Sequence, residues 1–207
     1  LDLLCSQIYD SPLSLLRENV QNAYDAILQR RHIDANFTNP EIRITIADQS
    51  LSICDNGIGM DEEGLKTHYW TAGSSGKNNP EARAAGVVGT FGIGAMANFG
   101  VCTELTVESK LYGTDITWIS GVKKSELSLN NNCIYVTASQ KQRSDYGTTI
   151  VVTISPDFIL TRDKAINYLK PYVHYLSVPV YLNDELISQD SYDVTPSTNC
   201  IDSGVLH

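Results

Sequence analysis

LLRENVQNAYDAI, residues 15–27, carries apolar side chains at helical spacing and an unusual polar row between them. Leu15, Leu16, Val20, Ala23, Ala26 and Ile27 supply contacts, while Glu18, Asn22 and Asp25 fall within roughly 60° of one another at about 100° per residue. Two carboxylates and an amide on one stripe, with no lysine, lack the i,i+4 charge pairs usual on a solvated face. A solvated face is the plain alternative. Oxygen ligands at this spacing also suit a hard cation such as magnesium. The spacing predicts a helix from Leu13 to Arg31, entered through Ser11-Pro12.

The residues after this helix change period. EIRITIA (residues 41–47) alternates as a strand does, and LSIC (51–54) reads as its hairpin partner across DQS. A short helix is predicted near residues 62–69. TELTVES, DITWIS, CIYVTAS and TTIVVTIS give four more strands, followed by a helix near 162–176 and a hairpin turning at Asn183-Asp184. Strands joined mainly by tight turns imply a mixed, mostly antiparallel sheet with helices on one face. With no internal repeat and no linker, residues 1–207 read as one two-layer α/β (α+β) domain.

The chain is 42% hydrophobic and 19% charged, which places it among soluble globular domains and not disordered chains. A net charge of −9 disfavours a broad nucleic-acid surface on this domain. Five cysteines without CxxC spacing argue against a disulfide framework and a zinc site, and for a reducing, cytoplasmic compartment. No run approaches membrane-spanning length. The first residue is not Met and the last stretch is SGVLH, so the chain reads as a piece of something longer.

Three further motifs bear on chemistry. DNGIGM (55–60) directly follows a strand; it has the composition of a turn, yet its two glycines permit close backbone approach to a ligand, with Asp55 as acceptor. GVVGTFGIGAMANFG (86–100) sets four glycines before a helix, a pattern that suits a phosphate cradle as well as a flexible surface loop. It matches neither GxxxxGK[ST] nor GxGxxG. YGTTIVVTIS opens a strand with Gly147 and Thr148, which by itself is commonplace.

In this order the four motifs resemble the GHKL ATPase superfamily, which includes the ninety-kilodalton heat-shock chaperones, gyrase B, MutL and the sensor histidine kinases. The resemblance covers Leu13 to about Leu182 and is greatest to the N-terminal ATP-binding domain of the heat-shock chaperones, through DNGIGM, SSGK, GTFGIGA, TELTVESK and LSVPVYL. It implies a Bergerat-type fold, with ATP/ADP and Mg2+ as cofactors. Glu18 matches the general base, Asn22 the magnesium ligand, and Asp55 the carboxylate that receives the adenine amine, supported through water by Thr148. Gly59 and Met60 match the adenine wall, and Asp25 and Ala26 pocket-side helix positions. Gly89, Phe91, Gly92, Ile93 and Gly94 match the phosphate loop, within a lid of about residues 71–94.

The resemblance implies slow ATP hydrolysis in a nucleotide-gated, homodimeric, chaperone-like clamp, with a protein client or downstream domain as partner, and neither membrane nor direct nucleic acid on this domain. A gyrase B or MutL type DNA-processing ATPase and a non-catalytic ATP sensor are the alternatives. A histidine-kinase domain is disfavoured by Glu18 and by the absence of a preceding phospho-acceptor segment. The sequence departs from the chaperone pattern where a lysine two residues before the lid's Ser-Gly is replaced by Gly73 or Ser74, and where GAMANFG replaces an aromatic-rich segment.

Overall fold

The computed structural model describes residues 11–70, 97–126 and 133–189. Helix α1 (Ser14–Ile33) begins two residues after Pro12, which lies in the preceding turn and not within the first helical turn. Ser11 closes that turn: its Oγ accepts from Leu13 N at 3.1 Å and its carbonyl from Ser14 N at 3.0 Å. At the other end Arg30, Arg31 and His32 complement the negative pole of the helix.

Strands β1 (Ile42–Ala47) and β2 (Ser50–Asp55) form the predicted hairpin. Ala47 pairs with Ser50, so the loop is the two residues Asp48-Gln49, with Asp48 at φ 46°, and Ser50 belongs to the strand. The predicted short helix is one turn (Glu62–Gly64), capped by Asp61 Oδ1, that runs into a π-helical turn (Leu65–Tyr69). Then come β3 (Cys102–Lys110), β4 (Thr117–Lys123), β5 (Tyr135–Ala138) and β6 (Gly147–Ile154). Helix α2 (Arg162–Val173) and the short hairpin of β7 (Val180–Leu182) and β8 (Glu185–Leu186) close the described chain. Asn183 and Asp184 both take positive φ at that turn, as a two-residue hairpin of this hand requires.

The eight strands form one sheet in the order β5-β4-β3-β6-β2-β1-β7-β8. Every neighbouring pair is antiparallel except β1 and β7. One face is apolar and buried: Ile42 and Ile44, Leu51 and Ile53, Leu105 and Val107, and Ile150, Val152 and Ile154. The other carries Arg43, Thr45, Thr153 and the exposed Val151. Helix α1 packs across β1, β2 and β6, and α2 packs on α1 and β7. The helices therefore cover a single face. Each buried Leu or Ile removed from water contributes about 1.5–3 kcal/mol, so this face is where the fold is held.

Candidate functional site

The inward rows of three adjacent strands end in polar residues. Leu51 and Ile53 lead to Asp55 on β2, Leu105 and Val107 lead to Ser109 on β3, and Ile150 is preceded by Thr148 on β6. Register brings these ends together: Ser109 pairs with Thr148, and Cys54 with Thr149, which sets Asp55 in line with Thr148. One end of an otherwise apolar surface thus becomes a buried polar patch.

Asp55 is 6% exposed. Its Oδ1 accepts from Gly57 N at 2.8 Å and from Thr148 N at 3.3 Å, and among the described residues both of its hydrogen bonds fall on that one oxygen. Burial pushes its carboxyl up to about 7, against the opposing pulls of the Gly57 amide, the Arg143 charge and the Thr148 amide. Thr148 Oγ1 meets Ser109 Oγ at 2.9 Å, and Ser109 Oγ accepts from Met60 N at 2.8 Å and lies 3.2 Å from Gly147 O. Asp55, Met60 and Thr148 are thereby joined through a serine that lies in TELTVESK but has no site role there. The available signal was its inward register after Leu105 and Val107.

The glycines of DNGIGM approach backbone, but it is the chain's own. A Cβ at Gly57 would lie 2.5 Å from the Ala26 carbonyl carbon. One at Gly59, where φ is +69°, would lie 2.0 Å from Lys110 O, and one at Gly147, where φ is +114°, 2.2 Å from Asp55 O. Ile58 N donates to Ala26 O at 2.9 Å, so Ala26 is the floor on which the loop sits. Arg30 of the same helix donates to Asn56 O at 2.7 Å and lies 4.1 Å over the Phe37 ring. Loop and helix are locked together.

Along α1 the polar stripe is graded in burial. Glu18 is half-buried and accepts from Arg17 Nη2 at 3.1 Å, and Asn22 is half-buried one turn further on. Asp25 is fully buried and accepts from Gln21 Nε2 at 2.8 Å, which excludes a simple solvated face. Asn19, beside Glu18, is also buried and donates to Asn98. The structure joins Asp55 to Thr148 directly, Met60 to Thr148 through Ser109, and Ala26 and Gly59 to them through the DNGIGM loop and Gly147, whereas Glu18 and Asn22 stand on the part of α1 that precedes Ala26. Gly89, Phe91, Gly92, Ile93 and Gly94, with the lid predicted over residues 71–94, lie outside the described residues.

A buried carboxylate held on one oxygen, at the end of a sheet and beside a helix bearing a carboxylate and an amide, can accept from an amine and orient a ligand along the helix. Residues 10–153 match the family model described as histidine kinase-, DNA gyrase B- and HSP90-like ATPase. Among curated proteins, the chain is 28% identical over 203 residues to the chaperone protein HtpG of Helicobacter pylori, covering 88% of this chain and 31% of that protein. It is 28% identical over 212 residues to the HtpG of Roseobacter denitrificans (92% and 32%) and 32% identical over 192 residues to that of Rhodopseudomonas palustris (83% and 28%). The chain spans about a third of the length of these curated relatives.

Proposed function

The chain belongs to the histidine kinase-, DNA gyrase B- and HSP90-like ATPase family, and from that premise we propose that it is the ATP-binding, slowly hydrolysing domain of a chaperone-like, nucleotide-gated dimeric clamp. The observation that carries the reading is Asp55: a buried carboxylate whose hydrogen bonds, among the described residues, both fall on Oδ1, which leaves Oδ2 to accept an exocyclic amine. An adenine fits such a donor-acceptor match, with Gly59 and Met60 as its wall and the Thr148 hydroxyl beside the carboxylate. Asp25 and Ala26 support the pocket from α1.

On the same helix Glu18 is the general base for the attacking water and Asn22 the side chain that would hold Mg2+. A neutral amide oxygen is a hard donor suited to that ion, which keeps most of its water ligands. When bound, the ion would neutralise charge developing on the phosphates. What this chain supplies is position: Glu18 and Asn22 lie one turn apart, so a proton acceptor and a phosphate tether are held about 6 Å apart along the helix axis.

Curated relatives named as chaperones favour the clamp over a gyrase B or MutL type enzyme. Residues 1–207 are then one ATP-binding domain of a longer, homodimeric, cytoplasmic protein acting on a protein client. No described helix is long and apolar enough to cross a membrane. The test is Glu18→Gln, which keeps size and polarity but cannot take a proton: ATP binds with parent affinity and single-turnover hydrolysis collapses. Hydrolysis at the parent rate would remove Glu18 from the chemistry.

A further inference from the structure

Arg143 lies in the connection between β5 and β6, on the side of the sheet opposite the Asp55 carboxylate. Cys54 and Thr149 are register partners whose side chains face that side, because alternate residues of a strand point to opposite faces. The half-buried guanidinium spans them. Its Nη1 donates to Thr149 Oγ1, and its Nη2 reaches Cys54 Sγ at 3.7 Å and Asp55 O at 3.3 Å. Its Nε donates to Asp145 O at 3.4 Å. The residue itself is pinned: Arg143 N donates to Thr117 Oγ1 at 2.8 Å, and Arg143 O accepts from Lys110 Nζ at 3.2 Å.

Among the described residues every one of these acceptors is neutral, and the guanidinium makes no ion pair. A planar donor fork is ordinarily satisfied by a carboxylate. Here the charge is instead held against the backbone of the residue whose carboxylate is buried, without touching that carboxylate. Such a charge orients and polarises without neutralising the acceptor.

We propose that Arg143 is a positioning residue of the nucleobase site, gripping the Asp55 carbonyl from the open face so that the carboxylate on the buried face is aimed as an acceptor. The inference rests on the adenine reading of Asp55. It differs from a purely structural role because Arg143 also acts by charge: its field opposes the burial that favours the neutral acid. The other charged groups on elements packed about this end of β2 are Arg30 and Asp25 on α1, Arg43 of β1 with Glu41 just before it, and Glu108 and Lys110 on β3. None of them hydrogen-bonds the Asp55 carboxylate among the described residues.

The experiment is calorimetry of Mg-ADP binding to parent, Arg143→Gln, Arg143→Lys and Asp55→Ala across pH 6 to 9. Parent affinity weakens as pH falls through about 7, where the carboxyl titrates. Arg143→Gln binds at least about threefold more weakly at pH 7, its midpoint moves upward, and the loss shrinks towards pH 9 to the part that comes from the lost grip on the Asp55 carbonyl. Arg143→Lys keeps the charge and holds the parent midpoint; it decides the question if circular dichroism shows Arg143→Gln unfolded. Unchanged affinity and midpoint in Arg143→Gln, an equal loss at every pH, or an upward midpoint in Arg143→Lys would overturn the proposal. Asp55→Ala separates the two readings: if it binds ADP like the parent, the adenine site itself is wrong. If it loses ADP while Arg143→Gln does not, only the role of Arg143 fails.

Discussion

Asn19 donates its side-chain amide to Asn98 Oδ1 at 2.7 Å, and both residues are sealed from water, at 1% and 0% exposure. The pair ties the residue after Glu18 to the turn (Asn98–Gly100) that leads into β3. It is an expensive way to pack a core, because among the described residues Asn19 Oδ1 is left without a partner. Truncating Asn98 to Ala strands the Asn19 amide as well, and costs about 1–3 kcal/mol in urea denaturation. Replacing both by Leu removes the stranded groups, so Asn19→Leu with Asn98→Leu costs less than Asn98→Ala alone. A double variant less stable than the single one would show that the pair is net stabilising.

Asp55 makes stability and ligand affinity run in opposite directions with pH. Its carboxyl titrates near 3.8 in an ordinary environment and is pushed up to about 7 by burial. Between those values the native chain holds a proton that the unfolded chain has released, so through this group stability rises as pH falls. Nucleotide binding, which needs the acceptor, weakens over the same range. The thermal midpoint of the ligand-free parent, compared with Asp55→Asn, therefore rises on going from pH 7.5 to 5. A difference that stays flat across that range would mean the carboxyl does not titrate there.

Ser109 is the joint between the two halves of the patch. Ser109→Ala removes the acceptor of the half-buried Met60 N–H and the neighbour of the buried Thr148 hydroxyl. The expected loss is about 1–3 kcal/mol in chemical denaturation. Amide exchange at Met60 accelerates by more than the global stability change accounts for. Exchange that merely follows global stability would leave the Met60 contact without a local role.

What could be read in the sequence was whatever depends on neighbours along the chain. The helical period of residues 15–27, the turn at Asn183-Asp184 and the alternation of the strands needed only local spacing. The hairpin of β1 and β2 differed by a single residue, Ser50, because pairing and not composition decides where a two-residue loop ends. The strand order could not be read, since β3 and β6 are neighbours yet separated by β4 and β5. The role of Ser109 is invisible along the chain for that reason: its partners Met60 and Thr148 come from distant segments. Asp25 was read on its spacing as part of a ligand-facing stripe, but its full burial follows from how α1 lies on the sheet. DNGIGM was understood by residue type but not by contact, for its glycines admit α1 and β3 to the loop.

Gly57 isolates that last effect, because its φ is not in the left-handed region and only space is at stake. A Cβ there would meet the Ala26 carbonyl carbon at 2.5 Å, Ala26 Cβ at 2.7 Å and Ile27 N at 2.7 Å. Two of these atoms are helix backbone and cannot yield. The loop must lift instead, which takes Ile58 N away from Ala26 O and Gly57 N away from Asp55 Oδ1. Gly57→Ala is expected to cost about 1–3 kcal/mol, as overpacking does, and to weaken ADP binding in step. Ala26→Gly alone costs about 1 kcal/mol, the usual cost of glycine inside a helix. In the Gly57→Ala background it removes one of the clashing atoms, so the double variant is more stable than the sum of the two losses allows. A double-mutant cycle reads that coupling directly. Additive losses would mean that the two backbone atoms at 2.5 and 2.7 Å, which Ala26→Gly leaves in place, already force the loop to lift by themselves.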